Sequence, residues 1–98
     1  TACIAFNDLL AIGMLQRLDR RGVNVPGDLS IVGCDDIFGA DFCNPPLTTI
    51  AGDTEQAGRV AAGKLVTLLG GETPLPRGTS LIATHLLVRE STGPARTD

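Results

Sequence analysis

The sequence predicts an α/β fold with a parallel sheet, and three observations lead to that prediction. Residues 2–6 are a continuous apolar run, which is typical of a parallel strand buried on both faces. Four apolar residues then recur at helical spacing: Ala11, Met14, Leu15 and Leu18. A second strand is predicted at residues 29–33 (L-S-I-V-G), after a Pro-Gly-Asp turn. Strand, helix and strand in this order predict a right-handed βαβ unit of a Rossmann-like sheet.

The boundaries of the first helix and the next elements follow from local signals. The helix begins after the polar pair Asn7-Asp8 and stops at Gly22. Residues 37–46 show no period and contain a Pro-Pro pair, so we expect a loop. Residues 47–50 are short and β-branched, and they predict a third strand.

A second amphipathic helix is predicted over residues 53–69. Asp53 with Gln56 three residues later is close to a capping box, and Gly70-Gly71 ends the helix. The rest of the chain is predicted as three segments: a loop at 74–78, a strand at 81–88 and a frayed tail at 90–98.

The composition limits the classes of function. The 98 residues are 43% hydrophobic and carry a net charge of −3, which is ordinary for one globular domain and lacks the basic surface that DNA requires. No signal segment or membrane-length apolar run is present, so we expect a cytoplasmic protein that contacts no membrane. The three cysteines have no C-x-x-C spacing and are predicted to be reduced thiols. We expect neither a metal nor a cofactor.

Two polar residues follow the first two predicted strands, at the position where open α/β sheets bind ligands. The Asn7 amide both donates and accepts, and the Asp35 carboxylate accepts two donors, so the pair suits a polyhydroxylated or polar heterocyclic ligand. A structural alternative stays open, in which Asn7 or Asp8 caps the helix and Asp35 opens a turn.

Enzyme chemistry has little support in this sequence. The acidic pair Asp35-Asp36 is compatible with Mg²⁺-dependent phosphoryl transfer, but neither a glycine-rich loop ending in Lys nor a G-x-G-x-x-G motif accompanies it. His85 has no sequence partner that implies a triad. We therefore predict no catalytic residues.

The first helix also has an apolar surface away from its core stripe. Leu9 and Ile12 lie roughly opposite that stripe, so we expect them to contact a partner rather than the same core. A subunit interface is the simplest partner for a one-sided βαβ helix. Phe38 and Phe42 either join this surface or fill the local core.

Four segments in order resemble a known family. They are N-D-L-L-A-I-G-M-L-Q-R-L from residue 7, R-R-G-V-N-V-P-G-D-L-S-I-V-G-C-D-D from residue 20, P-P-L-T-T-I from residue 45, and L-V-R-E-S-T from residue 87. Together they are similar to the C-terminal effector-binding region of the LacI/GalR family, the lactose, galactose and purine repressors. The resemblance covers nearly the whole chain.

The resemblance implies a partial periplasmic-binding-protein-like fold, the C-terminal portion of an effector domain with two subdomains and a cleft between them. Residues 1–50 would belong to the C-terminal subdomain, the helix in 53–80 would pack on the N-terminal subdomain, and 81–98 would be the return strand and tail. The matching positions assign effector contacts to Asn7 and Asp35. They assign the homodimer interface to three residues: Leu9, Ile12 and Phe42.

The function implied is that of a transcriptional repressor rather than an enzyme. A small-molecule effector, a sugar or related polar metabolite, would control DNA binding by an N-terminal helix-turn-helix outside this sequence. Two other interpretations stay open. One is a sugar-binding protein of an ABC transporter with the same fold, and the other is the phosphoryl-transfer enzyme that Asp35-Asp36 suggests.

Overall fold

The computed structural model describes residues 1–71 and 78–97. The elements in these ranges are β1 (Ala2–Ile4), α1 (Asp8–Asp19), β2 (Ser30–Cys34), β3 (Thr48–Gly52), α2 (Thr54–Gly70) and β4 (Thr84–Leu87). The described strands form one sheet in the order β1-β2-β3-β4, and β2 pairs in parallel with both β1 and β3. The predicted α/β fold with parallel strands is confirmed. Most of the predicted loop at 74–78 lies outside the described residues.

The chain divides into two compact units, of which the first comprises residues 1–51 and 85–98. Its core lies between α1 and one face of the sheet, with Ala11, Leu15, Ile31 and Leu47 almost completely buried. Met14 and Leu18 pack against this core and are partly buried. The helical spacing of the apolar residues therefore predicted the buried face of α1 correctly.

The first strand differs from its prediction. It covers only Ala2–Ile4, and it is buried on one face rather than on both. Cys3 and Ala5 face the core, whereas the alternate residues Ile4 and Phe6 are 72% and 86% exposed. The strand is the outermost one in the described sheet, and the core covers only one of its faces. Apolar side chains on the other face therefore stay in solvent.

The segment after β4 is anchored, so the prediction of a frayed tail is wrong for residues 90–93. Ser91 is fully buried, where its hydroxyl donates to the carbonyl of Ile31 (2.6 Å) and accepts from the amide of Thr48 (2.8 Å). The amide of Gly93 donates to the hydroxyl of Ser30 (3.1 Å). These polar contacts attach the segment to β2 and β3.

The second compact unit comprises residues 52–84 and contains α2. Asp53 caps this helix by accepting from the amide of Gln56 (2.8 Å), as the near-capping box predicted, and Gly71 ends it with a φ of 67°. No residue of α2 is buried, and its leucines are at least half exposed. Neither helix in the described part of the chain has the length and apolar character needed to cross a bilayer.

Candidate functional site

The two polar pairs predicted at the ends of strands lie at the carboxyl edge of the parallel sheet. Asn7 and Asp8 follow β1, and Asp35 and Asp36 follow β2. A hydrogen bond from the amide of Ile37 to Oδ2 of Asp8 (3.0 Å) joins the turn after β2 to the start of α1. The sheet thus gathers these side chains into one region, where open α/β folds bind small molecules.

Asn7 is the N-cap of α1. Its backbone is extended (φ −153°, ψ 174°), and its side-chain oxygen accepts from the amide of Leu10 (2.9 Å). Asn7 therefore caps the helix, the structural alternative to ligand binding, and the cap uses its side-chain oxygen. The amide group also carries two N–H donors that the capping bond does not use, and they are the part of Asn7 suited to a ligand.

Asp35 and Asp36 form a turn with an unusual backbone. Their φ values are 104° and 50°, a region that residues other than glycine seldom occupy and that costs about 1–3 kcal/mol for each residue. Such geometry persists only where surrounding contacts impose it, and it is concentrated at functional sites. The Asp35 side chain is exposed, so its carboxylate is available to a ligand.

Three consecutive amides of this turn have defined acceptors. The Asp35 amide donates to the carbonyl of Ile50 (2.9 Å), and the next two donate to side chains: Asp36 to Oγ1 of Thr49 (3.4 Å) and Ile37 to Oδ2 of Asp8 (3.0 Å). The turn is therefore fixed to β3 and to the start of α1.

Asp8 contacts both the turn and β3, whereas the sequence pattern predicted for it only a possible role as helix cap. It is fully buried, and it accepts from the hydroxyl of Thr49 (2.6 Å) as well as from Ile37. Gly33 leaves room for this carboxylate, because a Cβ at position 33 would overlap Oδ1 of Asp8. An aspartate after one strand and a glycine in the next strand are the only sequence signals for this arrangement.

Arg89 is a second residue of this region for which no sequence pattern predicted a role. Its guanidinium donates to the carbonyl of Leu47 (2.9 Å) and to Oδ1 of Asp36 (2.8 Å), and both side chains of this ion pair are mostly buried. Asp36 is therefore paired with a cation, so Asp35-Asp36 does not present two free carboxylates to Mg²⁺. The described residues contain no group of three or more side chains that could hold a metal ion.

The cysteines are free thiols. Partial burial and the neighbouring Asp35 carboxylate raise the pKa of the Cys34 thiol, and burial raises the pKa of the Cys43 thiol. Both thiols are consequently neutral at physiological pH, which disfavours reaction as nucleophiles.

The three residues predicted at a subunit interface differ in exposure. Leu9 is 69% exposed and Phe42 is 65% exposed, with the Phe42 ring in edge contact with Phe38 at a centroid distance of 5.1 Å. Ile12 is partly buried and packs against the core of the first unit. The expectation that Ile12 has no place in this core is therefore wrong, because its side chain lies at the margin of the helix face rather than opposite to it.

Comparisons with known proteins identify transcriptional regulators of similar sequence. A model of the periplasmic binding protein-like domain matches residues 1–92. The chain is 40% identical over 92 residues to the transcriptional repressor CytR of Escherichia coli K12, covering 94% of this chain and 27% of CytR. It is 36% identical over 95 residues to the transcriptional regulator MalR of Streptomyces coelicolor, covering 97% of this chain and 27% of MalR.

Solved structures give the same result. The fold is similar to the regulator CelR in complex with cellobiose (TM-score 0.86, 40% identity, 92% of this chain and 27% of CelR). It is also similar to the lac repressor dimer bound to operator and an anti-inducer (TM-score 0.84, 33% identity, 94% of this chain and 32% of that chain). The chain spans about a quarter of the length of the curated relatives, 27% in each case above.

Proposed function

The chain belongs to the LacI/GalR family, as part of the periplasmic binding protein-like effector domain, and from this premise we propose that it binds a small polar effector that controls DNA binding. The DNA would be bound by a helix-turn-helix in another part of the protein, which acts in the cytoplasm. CytR and MalR are transcriptional regulators, which favours a regulator over a transport protein or an enzyme.

The observation that carries this proposal is the exposed carboxylate of Asp35, held on a strained turn at the carboxyl edge of the sheet. A carboxylate accepts two hydroxyl donors at once, which matches adjacent hydroxyls of a sugar. Asn7 contributes amide donors from the neighbouring loop. Cellobiose in CelR, and sucrose or glucose in a LacI-family regulator of Lactobacillus casei, support a sugar or related polar metabolite as the effector class.

The organisation of the domain is part of the same proposal. Residues 1–50 form part of the C-terminal subdomain, the helix in 53–80 packs on the N-terminal subdomain, and 81–98 are the return strand and tail. The exposed leucines of α2 support this assignment, because an amphipathic helix normally buries its apolar face against another element. An effector bound between the subdomains stabilises one arrangement of the two subdomains and shifts the population of molecules toward that arrangement.

A homodimer presents two DNA-binding heads, and we propose that Leu9, Ile12 and Phe42 contribute to its interface. The exposure of Leu9 and Phe42 supports this role, as does the dimeric state of the lac repressor structure. Leu9→Glu should shift the full-length protein from dimer toward monomer in sedimentation equilibrium. Leu10→Glu, the same change one position along α1, is the matched control, and equal dissociation by both variants would argue against this interface.

The effector site is tested by calorimetric titration of the full-length protein with cellobiose, sucrose and glucose. Asp35→Ala should weaken binding about 10- to 100-fold, the value expected for hydrogen bonds to a charged acceptor. Asp41→Ala, an exposed aspartate in the following loop, is the control and should leave the affinity unchanged. Unchanged binding in Asp35→Ala, with normal binding in the control, would remove Asp35 from the effector site.

A further inference from the structure

The Asp35-Asp36 turn needs support from outside its own sequence. Two successive residues with positive φ are unfavourable, and each would relax to a negative φ if its backbone contacts were removed. Only the Asp35 amide is held by a backbone carbonyl, that of Ile50. The next two amides depend on the side chains of Thr49 and Asp8.

Thr49 and Asp8 act as one connected support. The Thr49 hydroxyl accepts from the amide of Asp36 (3.4 Å) and donates to Oδ1 of Asp8 (2.6 Å). The second oxygen of Asp8 accepts from the amide of Ile37 (3.0 Å). Both side chains are fully buried, which limits competition from water for the bonds that they make.

Helix capping does not account for Asp8, because Asn7 supplies the cap of α1. Burial of a carboxylate is costly unless its oxygens accept hydrogen bonds. Oδ2 of Asp8 accepts directly from the turn, and Oδ1 is linked to the turn through the hydroxyl of Thr49. These hydrogen bonds therefore connect Asp8 and Thr49 to the backbone of the turn that carries Asp35.

We propose that Asp8 and Thr49 are positioning residues for the Asp35 carboxylate, fixing the turn in the conformation that meets the effector. This inference rests on the proposed function, since it assumes that Asp35 contacts an effector. Loss of the Thr49 hydroxyl frees the amide of Asp36 and removes one donor from Asp8. The turn then samples relaxed φ values that direct the Asp35 side chain elsewhere.

The test compares Thr49→Val, which keeps the shape of threonine without its hydroxyl, with Thr49→Ser, which keeps the hydroxyl. Full-length proteins are titrated with cellobiose, sucrose and glucose, and their melting temperatures are measured. Thr49→Val should weaken binding about five- to tenfold, while Thr49→Ser stays within about twofold of wild type. In an Asp35→Asn background, the effect of Thr49→Val should shrink, because Thr49 acts through Asp35. A lower melting temperature with unchanged affinity, or an equal loss in both backgrounds, overturns the proposal.

Amide hydrogen exchange at residues 35–37 provides a measurement that needs no ligand. Exchange there should be about fivefold faster in Thr49→Val than in Thr49→Ser and wild type, with exchange in the preceding strand β2 unchanged. Equal exchange rates in all three proteins overturn the proposal. If wild type binds none of the three sugars, the proposed sugar class fails, and exchange still decides whether Thr49 holds the turn. If Asp35→Ala abolishes binding but Thr49→Val does not weaken it, only the positioning role fails.

Discussion

The buried carboxylate of Asp8 packs against β2 at Gly33, and replacing this glycine by alanine is a direct test of the site. The added Cβ would overlap Oδ1 of Asp8 and lie 2.9 Å from Cδ2 of Leu47. Neither neighbour is free to move, because both are fully buried. The strand or the carboxylate must therefore move, because no flexible side chain nearby can make room for the added Cβ.

The magnitude follows from the two hydrogen bonds that Asp8 accepts, from Thr49 (2.6 Å) and from Ile37 (3.0 Å). Displacing the carboxylate breaks both, and a hydrogen bond to a charged group contributes about 1.5–3 kcal/mol to stability. We therefore expect Gly33→Ala to lower the free energy of unfolding by about 3–6 kcal/mol, the sum of the two bonds.

The assay is urea denaturation of the full-length protein, with Gly13→Ala as the matched control. Gly13 lies in α1 with open space around its Cα, so alanine there should stabilise the helix by about 0.5–1 kcal/mol. Opposite signs for the same substitution are the expected result. A Gly33→Ala protein within about 1 kcal/mol of wild type would refute the packing of Asp8 against β2.

Three further predictions concern the anchored tail, the ion pair and a thiol. Ser91→Ala removes a buried hydroxyl that makes two hydrogen bonds, and it should lower the free energy of unfolding by about 1–3 kcal/mol. Ser80→Ala, at an exposed site, should change this free energy little. Equal losses in the two variants would contradict the anchoring of the tail. Arg89→Lys keeps the charge beside Asp36 but loses the hydrogen bond to the carbonyl of Leu47, and it should lower the free energy of unfolding by about 1 kcal/mol. A stability equal to wild type would show that the bond to Leu47 contributes nothing. Burial raises the pKa of the Cys43 thiol above its ordinary value of 9.0, so the unfolded chain ionises first and stability should fall as pH rises through and above about 9. Cys43→Ala should reduce that fall in denaturation curves at about pH 8 and pH 10, and an unchanged pH dependence would exclude this thiol as its cause.

Local patterns predicted the elements of this fold because their signals lie within a few residues. The apolar spacing of α1, the cap at Asp53 and the glycine at position 71 each act through neighbours in the chain. The edge position of Asn7 and Asp35 was also predictable, because parallel strands bring their carboxyl ends to the same edge of a sheet.

The support beneath that edge was not predictable in the same way. Asp8 contacts Thr49 across a separation of 41 residues, and Arg89 contacts Asp36 across 53. A sequence pattern shows that an aspartate or arginine is present, but the partner depends on how the strands align. The anchored Ser91, predicted as part of a frayed tail, illustrates the same limit, since its partner Ile31 is 60 residues away.

By itself the sequence determined the α/β class, the order of most elements and the loops in which Asn7 and Asp35 lie, because periodicity, caps and turns are local properties of the chain. Only the tertiary structure decided that Asp8 is buried beneath β2, that Arg89 pairs with Asp36 and that the Asp35 turn takes positive φ values. Those features depend on contacts between residues distant in sequence, which exist only when the strands are in register.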